Sequence, residues 1–276
     1  MSSTTCKYKL TKTSSDICLI RLDFIDGKIS APNTKGSCAT SYFTSDPITG
    51  PAIPPICGHN DGYHLYMDAA AYYSDSSTFK VVVGESGLDW KILVSQIECS
   101  SKSLPPAGCL QYFMGSEGQV KSFNFGVGIV NREQGESLQN QHYTVCIRHE
   151  LGYCSIGWIQ DQVAIDAFKI SKPSTNYEAN TGTLCYQDFV MIPGGSNGGR
   201  GLCDCGGPSG STGNTMPSCD TFCGGSLNCN NKAVSTAASE IISSKLPFVL
   251  GVNFNSAEPG ASDNRGFFMH YRQYLC

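Results

Sequence analysis

Fifteen cysteines dominate the reactive side chains of this 276-residue chain. Zinc and cluster sites gather thiolates in Cys-x2-Cys knuckles, and the sequence contains no such knuckle. The thiols therefore read as structural disulfides formed in an oxidising compartment, with the odd count leaving one over. Cys6 with Cys18, and Cys146 with Cys154, are close enough to face each other across a hairpin, where Cα separations suit a bridge. Cys99 and Cys109 bracket a Ser- and Pro-rich stretch that a bridge between them would staple shut.

Other chemistry is poorly equipped. A nucleophilic serine needs a base, an orienting acid and an oxyanion hole. Gly206-Gly207-Pro208-Ser209-Gly210 supplies glycine and serine without a Gly-Asp-Ser-Gly-Gly arrangement, and the five histidines sit in no triad context. His59 and His64, five residues apart on a loop, define no metal geometry and read as hydrogen-bonding groups. The Gly194–Gly199 stretch lacks the Gly-Lys-Ser/Thr ending that lets a loop cradle phosphate. The expectation is a protein with no catalytic residues, no metal site and no cofactor. Tyr63, Tyr66, Tyr72 and Tyr73 could form a binding surface or be half-buried strand residues.

The elements that position these residues read as strands. Cys18–Phe24, Phe79–Val83, Trp90–Ile97, Tyr143–Arg148, Phe189–Ile192, Phe248–Phe254 and Phe267–Tyr274 are short and rich in aromatic and β-branched residues. Gly, Pro, Asn and Ser bound them. Only Lys232–Ser244 suggests a short helix. Hydrophobic residues make up 40%, which supports a packed core, whereas charged residues make up only 15%, so the surface must be polar but largely uncharged. With a net charge of −4 and no basic run, nucleic acid is not an expected partner. No apolar run approaches the roughly 20 residues of a membrane span. Met1–Thr5 lack the apolar core of a signal peptide, so secretion implies one already removed. No Asn-x-Ser/Thr sequon occurs.

A weak internal repeat organises the chain. The first half runs from Cys38 through Cys57-Gly58 to a terminal strand ending at Cys99; the second runs from Cys185 through Cys223-Gly224 to one ending at Cys276. Residues 1–99 then form one domain, 100–108 a linker and 109–276 a second domain. Within the second, residues 194–231 are Gly- and Ser-rich and hold five cysteines, which reads as an insertion held by disulfides.

The ordered set Cys18-Leu-Ile-Arg-Leu-Asp-Phe24, Ile56-Cys57-Gly58, Gln96-Ile97-Glu98-Cys99, Gly108-Cys109-Leu-Gln-Tyr112, Tyr143-Thr-Val-Cys-Ile-Arg148 and Arg265-Gly-Phe-Phe268 resembles the tandem CUB-domain proteins secreted by arthropods. The resemblance implies an all-β, disulfide-rich fold of two tandem jelly-roll-like sandwiches, with an extracellular, secreted setting. It also implies the bridges Cys38–Cys57 and Cys185–Cys223, with Cys203 and Cys205 as rivals to Cys223. Domain one looks truncated at its front, lacking a first strand. Many CUB domains hold calcium through a carboxylate three residues after the third cysteine. Asp188 stands there in the second repeat and Ser41 in the first, while the later acidic position holds Asn253 or Asn255. Asp188 is accordingly read as a surface carboxylate.

The function expected is an extracellular, non-catalytic binding or adhesion module for protein or glycan. One alternative is a structural protein that assembles into an extracellular matrix or coat, which the odd cysteine and low surface charge suit and which would make it a homo-oligomer. The other is the non-catalytic part of a secreted protease. Since glycine-rich backbone is the costliest to order, reduction should open residues 194–231 to protease before the strands around Trp90 or Phe248. Limited proteolysis with and without reductant checks this, and first cuts in those strands would contradict it.

Overall fold

The alternation read from the sequence becomes a stack of antiparallel sheets in the computed structural model, which describes residues 4–45, 52–70, 76–86, 88–125, 136–171, 178–199, 203–205, 215–216, 218–230, 239–256 and 264–276. In the first half, β1 (Thr4–Thr11), β5 (Ser76–Val83) and β3 (Tyr42–Ser45) form one sheet in the order β1-β5-β3. A second sheet, ordered β4-β2-β6, joins β4 (His64–Asp68), β2 (Ile17–Asp26) and β6 (Lys91–Glu98). Alternate residues of β2, namely Ile20, Leu22 and Phe24, are fully buried. The period of two along a strand places them all on one face.

The second half is larger. Six strands run in the order β12-β16-β13-β18-β9-β7, where β7 is Cys109–Phe113, β9 Gln141–Ile147, β12 Ala179–Thr181, β13 Phe189–Gly195, β16 Cys219–Gly224 and β18 Phe248–Phe254. The facing sheet joins β11 (Phe168–Lys169), β19 (Gly266–Leu275), β10 (Tyr153–Gln160) and β17 (Ile241–Ser243), with β8 (Glu117–Lys121) paired to β19. A small ribbon pairs β14 (Cys203–Asp204) with β15 (Thr215–Met216). Among the described residues the only helical element is a 3-10 turn, Gly182–Leu184. The helix expected over Lys232–Ser244 lies partly outside the described residues, and its described end is strand β17, where Ile241 and Ser243 turn inward. The architecture is thus β-sandwich throughout, with one apolar cluster running through both halves.

Two hydrogen-bond arrangements occur in both halves. Ile20 pairs with Gln96 across β2 and β6, and Ile156 pairs with Gln273 across β10 and β19. Gln96 donates to the Thr11 carbonyl and accepts from the Thr13 amide. Gln273 donates to the Arg148 carbonyl and accepts from the Glu150 amide. Each glutamine therefore clamps the end of the strand on the opposite sheet. Ser41 Oγ caps the Gly84 amide after β5, just as Asp188 Oδ1 caps the Asn255 amide after β18.

The cysteines follow this geometry. Seven bridges form: Cys18–Cys99, Cys38–Cys57, Cys109–Cys146, Cys154–Cys276, Cys185–Cys223, Cys203–Cys229 and Cys205–Cys219. Cys38–Cys57 and Cys185–Cys223 are the pairs implied by the resemblance. The three pairs expected from closeness in sequence are corrected. Cys6 does not meet Cys18, because β1 and β2 lie on different sheets instead of forming a hairpin. The same crossing separates Cys146 on β9 from Cys154 on β10. Cys18 instead lies beside the end of β6 and Cys154 beside the end of β19, so each bonds the cysteine that closes its half. Cys109 is carried along β9 by the parallel β7 and takes Cys146, leaving none for Cys99. Cys6 remains a free thiol. Cys203 and Cys205 tie residues 203–229 together and leave Cys223 to Cys185.

Gln273 is buried and serves three backbone groups, its third being the Gly115 carbonyl. Stranding a buried polar group costs about 1–3 kcal/mol. Gln273→Ala should therefore lower stability by about 3 kcal/mol or more and Gln96→Ala, on the open side of its sheet, by about 1 kcal/mol. Denaturant midpoints of the oxidised chain test the ordering.

Candidate functional site

Two sheet edges face each other where the halves meet. β4 is the last strand of its sheet and β7 the last of the six-stranded sheet. A buried edge must satisfy its backbone groups, and here side chains do so. His64 Nε2 lies 2.9 Å from the Tyr112 carbonyl, and Gln111 Nε2 donates to the His64 carbonyl at 3.1 Å. Further along, the Asn124 amide donates to Asn60 Oδ1, the His59 amide donates to Asn124 Oδ1, and the Tyr63 hydroxyl donates to the Ser122 carbonyl. Gly58 has φ +80°, and a Cβ there would run into the Asn124 side chain. Glycine is required on both counts.

Beside this seam opens a cleft of about 680 Å³. Its floor is the outward face of the six-stranded sheet, where Met191, Gly251 and Thr144 stand in one cross-strand row. Gly251 keeps that row shallow, since a Cβ there would press on Met191 at 3.2 Å. Tyr66 and Met67 of β4 form one wall, and Pro105 with Leu110 forms the other. Asp68, His142 and Asn253 add polar groups to this mainly apolar lining. Concave apolar surface with a few polar groups is the usual form of a ligand site.

Of the residues singled out from the sequence, Tyr66 lines this cleft, with its hydroxyl accepting from Arg21 at 3.0 Å. Tyr63 belongs to the seam, where burial raises its hydroxyl pKa. Tyr72, Tyr73 and Gly206–Gly210 lie outside the described residues. His59 and His64 both work in the seam, and no three His, Cys, Asp or Glu side chains converge among the described residues. Asp188 is buried rather than on the surface, a correction that follows from its cap on Asn255; its own amide donates to Ser171 Oγ. Met191, Pro105 and Leu110 were missed by sequence reasoning. The available signal was Met191, an apolar residue at an outward position of a strand whose inward positions, Val190 and Ile192, already supply the core.

A family model described as Animal CUB domain matches residues 106–274, more than half of the chain. A search of curated proteins gives no match. Among solved structures, similarity is found to the CUB1-EGF-CUB2 domain of human MASP-1/3, with 14% identity and TM-score 0.31 over 99% of this chain and 93% of that one. The CUB1-EGF-CUB2 domains of rat MASP-1 are similar with 11% identity and TM-score 0.27, over 99% and 92% of the two chains.

His64 links the halves as a neutral ring, because burial, aided by the nearby Arg21 charge, lowers its pKa from 6.5 to about 4. The unfolded chain binds this proton below pH about 6.5 and the folded chain only below about 4. Its contribution is therefore complete above pH 6.5 and is lost as pH falls toward 4, by on the order of 3 kcal/mol. His64→Gln retains a donor for Tyr112 and should flatten this part of the pH–stability curve. An unchanged slope would assign the effect to another group.

Proposed function

Because the chain belongs to the animal CUB-domain family, whose members are generally non-catalytic protein-interaction modules, we propose that it is an extracellular recognition module binding protein or glycan in the cleft beside Met191 and Tyr66. The cleft carries the reading: it is concave, mainly apolar and bordered by few charges. The seven disulfides suit an oxidising, extracellular setting. No described helix is long and apolar enough to cross a membrane. We take residues 1–99 and 109–276 as two CUB-like units joined by residues 100–108, with 194–231 an insertion in the second. The repeated glutamine clamps and closing disulfides support this division.

A second reading, assembly of copies into a matrix or coat, is favoured by Cys6, the one cysteine without a bridge. Non-reducing against reducing size measurement separates it from the first.

Met191 is 41% exposed, so Met191→Glu places a charge in the cleft without disturbing the core. Screened against extracellular proteins and a glycan array, the wild-type chain should bind a ligand, and Met191→Glu should weaken that binding at least tenfold. A ligand retained at full affinity by Met191→Glu would move the site elsewhere. Hydrolysis of peptide or ester substrates by the pure chain, abolished by a serine-directed inhibitor, would overturn the non-catalytic reading.

A further inference from the structure

The cleft is bordered by main chain as well as by side chains. β4 is the last strand of its sheet, and the backbone groups of a strand alternate in direction. The Tyr63 carbonyl accepts from the Phe24 amide at 2.9 Å, and the Ala69 amide donates to the Cys18 carbonyl at 3.0 Å. Leu65 and Met67 share this parity and turn toward β2, opposite Leu22 and Ile20. His64, Tyr66 and Asp68 therefore turn their amides and carbonyls outward, away from β2. Two of these groups are paired: the His64 carbonyl accepts from Gln111 Nε2 and the Asp68 carbonyl from Ser77 Oγ, each at 3.1 Å. Among the described residues nothing pairs with the Tyr66 amide, the Tyr66 carbonyl or the Asp68 amide.

These three groups sit at the cleft, because Tyr66 and Asp68 both line it. Tyr66 is only 6% exposed, and main-chain groups that are buried call for partners. An amide and a carbonyl of one residue, side by side on a free edge, match the main chain of another extended segment. A saccharide carries no such repeating amide. The opposite wall cannot compete for the pairing at Pro105 and Pro106, which have no N–H to donate.

The side chains of the occupant follow from the rest of the lining. Side chains of an extended segment alternate between two faces. Those turned to the floor meet Met191 and the shallow place that Gly251 leaves beside it. The rim carries one sign of charge. Asp68 is exposed, and among the described residues that line the cleft it is the single carboxylate, with no lysine or arginine beside it. We propose that the cleft is a strand-acceptor site for an extended basic–apolar segment of another protein. The main chain of that segment pairs with Tyr66 and the Asp68 amide, its apolar side chains cover Met191, and its basic side chains lie beside Asp68. This inference rests on the cleft being the binding site and narrows the ligand from protein or glycan to a protein segment.

The test uses the full oxidised chain and capped synthetic peptides of about six residues, one alternating valine with lysine and one valine with glutamate. The lysine peptide should bind at least tenfold more tightly and should slow hydrogen exchange at the Tyr66 and Asp68 amides. N-methylation of its alternate residues should abolish binding in one phase, where the blocked amides face β4, and spare it in the other. Asp68→Lys, at an exposed position, should invert the charge preference. No binding of the lysine peptide, equal affinity for the two peptides, indifference to N-methylation in both phases, or an unchanged preference in Asp68→Lys would overturn the proposal. So would a glycan as the ligand recovered from the extracellular screen. The cleft itself stands through each of these outcomes as long as Met191→Glu weakens the screened ligand, and falls only when that ligand is retained.

Discussion

An unpaired strand edge leaves amides and carbonyls without partners, and where such edges are closed shapes this molecule more than any other constraint. Three solutions occur in one chain. β7 closes β9 by a parallel ladder and a disulfide, and β8 closes β19 by an antiparallel ladder. The facing edges of β4 and β7 are closed by the side chains of His64 and Gln111. β1 and β6 stay open among the described residues. In the third, side chains bridge the edges instead of a continuous ladder, and the cleft opens beside them.

The disulfides serve the same scheme. Cys18–Cys99 and Cys154–Cys276 each tie an interior strand of a sheet, β2 or β10, to the end of its neighbour β6 or β19, over separations of 81 and 122 residues. Cross-links over long loops restrict the unfolded chain most, in the chain-entropy account. The shorter bridges Cys203–Cys229 and Cys205–Cys219 lie in the same apolar cluster as Phe222 and Leu227, both fully buried.

Two histidines sit in structural hydrogen bonds: His64 with Tyr112, and His270 with Asp161 at 2.6 Å. Asp188, the best-placed carboxylate for a cation, is spent on the Asn255 amide. Among the described residues, the cleft beside the seam has a mainly apolar lining that includes Met191 and Tyr66.

Composition and alternation alone determined the all-β, disulfide-bonded character and seven of the strand segments, among them β2, β9, β18 and β19. The side-chain period of two and the special conformations of glycine are local properties, legible from neighbours in the chain. Cys57-Gly58 and Cys223-Gly224, each with a left-handed glycine, are such local signals. The partners of most cysteines, the clamp roles of Gln96 and Gln273, and the cleft were decided only by tertiary structure. Cys6–Cys18 and Cys146–Cys154 looked natural because closeness in sequence resembles a hairpin, yet both connections cross from one sheet to the other. Which strand lies opposite which is fixed by the packing of two sheets over a common core, a long-range condition that no short stretch of residues encodes.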